Sequence, residues 1–468
     1  MAGIAGIWIQ ANREGGLFSS PFRRGRAVGL SHGRSPATRI PMTMPQVCCL
    51  AIAFLSLLGD LKAADPTPAQ QDITLAQRAI ARDPEQFENY NRLAMALARR
   101  ARETADTNFY EQADAALAES FRLAPDNFEG RKIEVWCLLG RHAFGKALPM
   151  AEALNKRAPD DIFVYGLLAD AHIELGNYQQ AEEAAQWMLD LRPGNVAGLT
   201  RGAYLREFFG DIEGALDFMD KAYQRTPPQQ TEDRAWILTQ MGHLYLASGK
   251  IDLAEQLLAQ ALALFPGYHY ALANMGKVRR AQGRFDEAVE LFERRYTAAP
   301  HPENMYDVAV VLSDAGRFRE ANEAFAKFEK LGRGEMENVD NCNRELIFYY
   351  ADHAQNPAEA LRVAQLEMKR RQDIHTRHAY AWALHRNAMD AEARRQLELI
   401  LALGVRDAQI LYHAGVIAGS LNDAETAKRW WNQSLQINPL SEVAKQVREG
   451  LAALPTGLRA ESAGREAH

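Results

Sequence analysis

The sequence predicts an all-α protein, a right-handed solenoid of stacked antiparallel helix hairpins, and three registers running together through the chain support this. Ala113, Ala147, Ala181, Ala215, Ala254, Ala288, Ala321, Ala360, Ala393 and Ala427 follow one another at steps of 34, 34, 34, 39, 34, 33, 39, 33 and 34 residues. Gly176, Gly210, Gly249, Gly283 and Gly316 each stand five residues before one of these alanines. Pro125, Pro159, Pro193, Pro227, Pro266, Pro300 and Pro439 each stand twelve after one. A fixed period held by three residue types marks a repeat architecture, in which each unit buries its apolar face only against its neighbours.

Residues 272–300 show what one unit contains. Leu272, Met275 and Gly276 share a helical face, Gly283 interrupts it, Phe285, Ala288 and Phe292 form a second face, and Pro300 ends it. Gly276 and Ala288 are small where two helix backbones approach, Gly283 can take the positive φ that closes a helix, and Pro300 cannot continue one. In Gly276, Ala288, Phe292 and Pro300 the unit resembles the tetratricopeptide repeat family. The resemblance extends over roughly residues 70 to 450, about ten repeats. It implies first helices on a concave side that binds a protein or peptide partner, and it names no particular partner.

Whole-chain numbers narrow the classes. At 468 residues, 47% hydrophobic and 24% charged, the composition is that of an ordinary soluble protein, and one elongated repeat domain accommodates the length. Residues 1–64 hold seven Lys or Arg against two Asp or Glu, so the remaining 47 basic and 58 acidic residues give a net charge of −11. An acidic body argues against nucleic acid as a partner. Cys137 and Cys342 stand about six repeats apart, too far along a solenoid for a disulfide, and read as packed free thiols without a CxxC motif.

Taken in order, residues 1–43 are rich in Gly, Arg and Ser and have no periodic apolar face, as a disordered or mis-annotated extension would. Residues 44–64 contain an apolar run at 47–58, VCCLAIAFLSLL, too short to span a bilayer and suited to a secretory signal peptide. The expected mature chain begins near Asp65, is periplasmic or secreted, and has no membrane span. If the leader is not used, the chain is cytoplasmic. Residues 65–85 read as a linker and capping helix, 86–440 as the solenoid, and 441–468 as a capping helix with a disordered tail.

Within the solenoid, first helices are expected near 128–139, 162–175, 196–209, 235–248, 269–282 and 303–315. Extra residues at 101–108, 226–231 and 331–341 are read as loops. Phe348 occupies a position that is small in the other units, and no turn glycine precedes Ala360, Ala393 or Ala427.

No catalytic signature stands out: HExxH and GxSxG are absent, and Gly249-Lys250 is a repeat turn without the earlier glycine of a phosphate loop. The chain is therefore expected not to be an enzyme and to need no cofactor or metal. His375, His378, Trp382 and His385 share one helical face and read as a polar groove wall. The expected partner-binding groove comprises Tyr204, Trp236, His243, Tyr270, Asn274, Lys277, Arg280, Tyr306, His378 and Trp382. Aromatic and basic side chains dominate binding energy because they bury large areas while keeping a polar end. The alternatives are a repeat-containing regulatory subunit of an enzyme, such as a glycosyltransferase, and a cytoplasmic scaffold.

Overall fold

The computed structural model describes residues 66–454. The expected extension, the signal peptide and the end of the C-terminal tail lie outside the described residues. A first helix, α1 (Pro68–Arg82), leads into ten hairpins. The first four are α2 (Phe87–Thr104) with α3 (Asn108–Leu123), α4 (Phe128–Gly140) with α5 (Phe144–Arg157), α6 (Ile162–Glu174) with α7 (Tyr178–Leu191), and α8 (Val196–Phe208) with α9 (Ile212–Arg225). Three more pair α10 (Thr231–Ala247) with α11 (Ile251–Leu264), α12 (His269–Ala281) with α13 (Phe285–Ala298), and α14 (Pro302–Asp314) with α15 (Phe318–Glu335). The last three pair α16 (Asn343–Phe348) with α17 (Pro357–Glu367), α18 (Ile374–Arg386) with α19 (Asp390–Leu401), and α20 (Ala408–Ser420) with α21 (Ala424–Ile437). A final helix, α22 (Ala444–Ala453), packs on α21. The described residues are thus an all-α solenoid.

Local chemistry accounts for the hairpins. Asn127, Asp161 and Asn195 each follow a proline by two residues and accept the backbone N–H of Gly130, Val164 and Gly198, capping α4, α6 and α8. The ten periodic alanines are buried between paired helices. A Cβ added at Gly276 would lie 2.8 Å from the Phe292 ring, which is why that position is small. Gly283 closes α12 at φ 72°. Where the turn glycine is missing, Gln355, Ala388 and Asn422 take the same left-handed conformation at φ 49°, 58° and 60°, so the hairpin geometry survives at a cost in backbone strain.

Three of the expected loops are shorter than the sequence suggests. Helix α2 continues through Thr104, because Ala98, Ala101 and Arg102 remain buried along it. Helix α15 runs on to Glu335, because Phe328 and Gly332 keep its face packed. Helix α10 begins at Thr231, the last residue of the TPPQQT loop and four residues before its expected start at 235. The remaining first helices begin and end within one residue of expectation. Phe348 is accommodated by a π-helical turn, Tyr349–His353, that follows α16 and widens the local backbone. Cys137 and Cys342 are buried free thiols, and burial raises both pKa values, Cys137 to about 12.

The solenoid returns on itself. The turn at Gly176 lies against the backbone of Gln372, that at Gly210 against Gly404, and that at Gly249 against Asn438. The Ile374 N–H donates to the Tyr178 hydroxyl at 2.8 Å across 196 residues, and Asn438 Nδ2 donates to the Leu246 carbonyl at 2.9 Å across 192. Arg371 pairs with Glu174 at 3.5 Å and His142 with Asp340 at 2.9 Å along the same seam. Inside, Arg102 pairs with Glu232 and, at 2.8 Å, with Asp233, while His269 Nε2 donates to the Arg102 carbonyl at 3.1 Å. The extra length of α2 carries Arg102 to these carboxylates.

Candidate functional site

First helices α10, α12, α14, α16, α18 and α20 converge on a cavity of about 800 Å³, and residues 438–448, which include the start of α22, form part of its wall. Four of the expected groove residues line it: His243, Lys277, Arg280 and His378. Arg280 bridges α12 to α14 and to the C-terminal wall, with Asp314 at 2.5 Å and Glu442 at 2.8 Å. Burial opposes its charge, but Glu442 and Asp314 outweigh burial and hold its pKa above the usual value. His243 Nε2 lies 2.8 Å from Glu207. Lys277 is half-buried, and among the described residues no carboxylate is within ion-pairing distance of its ammonium.

The other six expected residues are engaged in packing. Trp236 is buried in the core between first helices. Tyr204 meets Phe208 edge-on at 4.7 Å, Tyr270 lies 3.9 Å from the His269 ring, and Tyr306 packs on Phe328 at 5.2 Å. Asn274 Nδ2 donates to the Tyr270 carbonyl at 3.0 Å. Trp382 stacks on His413 at 3.7 Å, and its Nε1–H donates to Asp352 at 2.9 Å. Aromatic side chains on the predicted rows are thus packed against their own or adjoining helices, whereas the cations and histidines reach the cavity.

Arg344, Glu345 and Phe348 of α16, Asp407 before α20, and Glu442 and Lys445 also line it. Sequence reasoning missed these. The 39-residue step before Ala360 displaces α16 from the register, and residues 441–448 lie beyond the last repeat. Their approach to α12 depends on how far the solenoid winds.

His378 is also one half of a buried histidine pair, its Nε2 2.7 Å from Nδ1 of His413. One ring donates and the other accepts, and burial disfavours a charge on either. Phe348 from α16, Trp382 and His385 from α18, Tyr412 from α20, and Asp352 beyond the indole surround the pair. Burial depresses both pKa values, His378 to about 3, and His378 further lowers that of His413. The unfolded chain therefore binds protons that the folded chain refuses. The contribution of the pair is complete above about pH 6.5 and drains away as pH falls toward about 3. Thermal melts at falling pH are expected to show a steady loss of stability through that window. A His378→Leu/His413→Leu variant should show a flatter dependence, and equal slopes in the two proteins would contradict the neutral-pair reading.

Among the described residues no three His, Cys, Asp or Glu side chains are grouped to hold a metal ion, and no helix is long and apolar enough to cross a membrane. Stacked helix hairpins around an open cavity define the class, an α-solenoid protein-interaction scaffold, in a fold that is generally noncatalytic. The chain carries tetratricopeptide repeats: tetratricopeptide repeat models match residues 167–229 and 233–301, within the ten-hairpin array.

By sequence it is similar to cellulose synthase operon protein C of Xanthomonas axonopodis pv. citri (strain 306), 27% identical over 268 residues, covering 54% of this chain and 17% of that protein. It is also similar to human tetratricopeptide repeat protein 7B, 28% identical over 113 residues, covering 23% and 13%. The chain thus spans less than a fifth of the length of the curated relatives it matches. Among solved structures it is similar to a human IFIT1 dimer with PPP-AAAA, with TM-score 0.46, 14% identity, and coverage of 78% of this chain and 85% of that one. A thermophilic TPR protein of Thermus thermophilus gives TM-score 0.37 and 22% identity, over 40% of this chain and 99% of its own.

Proposed function

We propose that this protein is an exported, noncatalytic scaffold that receives an extended segment of a partner protein in the cavity formed by its first helices. The observation that carries the reading is Lys277: a half-buried ammonium with no carboxylate partner among the described residues, on the wall of an 800 Å³ cavity that Arg280 and Arg344 also line. An occupant with a carboxylate would satisfy it. The acidic body of the chain supports a protein occupant over nucleic acid, because like charge repels a phosphate backbone. The apolar run at 47–58 supports export to the periplasm or medium, with a mature N-terminus near Asp65. N-terminal sequencing tests that part, and a soluble intracellular product that retains Met1 would overturn it.

A second reading, a regulatory subunit of an enzyme such as a glycosyltransferase, is favoured by the name of the Xanthomonas relative, which ties that protein to a cellulose synthase operon. The two readings share the cavity and differ in what fills it.

The cavity is tested by charge reversal against the bound partner. Lys277→Glu is expected to weaken partner binding by roughly 1–3 kcal/mol, to slow association and to change its salt dependence. Glu290→Lys, on the exposed side of α13, should leave binding unchanged. Equal binding by the Lys277→Glu protein and its parent would exclude the cavity.

A further inference from the structure

The seam where the solenoid meets itself leaves half of each edge unused. Turns between paired helices at Gly176, Gly210 and Gly249 lie on the inter-hairpin segments at Gln372, Gly404 and Asn438, taken in the same order. The next two turns, at Gly283 and Gly316, have no such cover, since a Cβ built at either would meet nothing within 4 Å. The residue that opens each second helix shows the effect. Phe144, Tyr178 and Ile251 are buried and Ile212 and Phe285 are half-buried, whereas the equivalent Phe318, at the last of these turns, is 65% exposed. On the opposite edge, Asp83, Glu85, Asp126 and Asp160 are exposed in the segments joining the earliest hairpins.

Within the seam, opposite charges meet across the joint, as in Glu174 with Arg371 and His142 with Asp340. Both unused edges carry exposed ion pairs that can exchange across a joint: Arg284, Arg317 and Arg319 beside the bare turns pair with Glu287, Glu320 and Glu323, and Asp126 on the other edge pairs with Arg157.

We propose that a second copy of this chain docks its first inter-hairpin segments, at 83–86 and 124–127, onto the turns at Gly283 and Gly316. The joint continues the internal seam in the same order, so that Phe318 is covered and Arg284, Arg317 and Arg319 face Asp83, Glu85 and Asp126. Because the two surfaces differ, the contact is head-to-tail, and each added copy presents a fresh edge for the next. The turn at Gly283 borders the cavity, but Phe318 and Asp126, where the joint is tested, lie outside its lining, so the joint is tested separately from the proposed partner.

Sedimentation of the full chain over about a hundred-fold concentration range reads the association directly. The average mass is expected to rise with concentration and to pass that of a dimer. Phe318→Glu, which disables the turn edge, and Asp126→Arg, which disables the other, should each weaken association by about tenfold or more. Both positions are exposed, and circular dichroism is expected to show parental helix content for both variants. An equal mixture of the two should recover a dimer and stop there, because each variant keeps the edge that the other lacks. A monomer at every concentration, a mass indifferent to both substitutions, or a mixture no heavier than its components would overturn the proposal.

Discussion

Replacing Arg201 with leucine is expected to destabilise the protein by about 3–5 kcal/mol, among the largest effects of any single substitution in the chain. Arg201 on α8 pairs with Asp170 on α6 at 2.7 Å, and neither side chain reaches solvent. The guanidinium also donates to the Ala197 carbonyl at 3.0 Å. Burial lowers the pKa of Arg201 to about 10, with Asp170 acting against that, so the side chain stays charged at neutral pH. Leucine would deprive a buried carboxylate of this cation, and the desolvation of both groups would no longer be offset. Replacing both residues with leucine should recover much of the loss, since an apolar contact of similar volume requires no charge inside the stack. Urea denaturation of the parent, the single variant and the double variant checks this. A single variant within about 1 kcal/mol of the parent would show that solvent reaches the pair.

Ala288→Arg is expected to cost on the order of 3 kcal/mol or more. Ala288 has no exposed surface on α13, and its neighbours Val289 and Phe292 are themselves buried, so an arginine there must displace packed side chains or bury its charge. Glu290→Lys, two residues along the same helix but exposed, should change stability by no more than about 0.5 kcal/mol. Thermal melting followed by far-UV dichroism separates the two outcomes. An unchanged midpoint for Ala288→Arg would mean that α13 presents a different face to α12.

The hairpins were legible in the sequence because their determinants are local. An alanine at a close helix contact, a glycine at a positive φ and a proline before an N-cap each act within a few residues, so their spacing marks the units directly. The extensions of α2 and α15 were not legible, since Arg102 and Gly332 are held by contacts with distant or later helices rather than by their neighbours in the chain. The cavity was legible only in part. Lys277, Arg280, His243 and His378 lie on first helices whose inward face follows from the repeat, but Glu442 reaches Arg280 across 162 residues. That approach depends on the accumulated angles between hairpins, which no single residue encodes. The aromatic residues on the same rows could not be divided from the sequence into those that line space and those that fill it, because helical spacing is identical for both.

The seam bears on how the chain melts and folds. In an open array each hairpin touches only its neighbours, stability is nearly additive along the chain, and ends fray independently. Here the third, fourth and fifth hairpins support segments several hairpins further on, and Arg371, Tyr178 and Asn438 are shared by both. Loosening either end removes contacts from the other, so unfolding is coupled across the molecule in fewer, larger steps. The same contacts close long loops before they return any favourable energy, which raises the folding barrier above that of an open array of equal length.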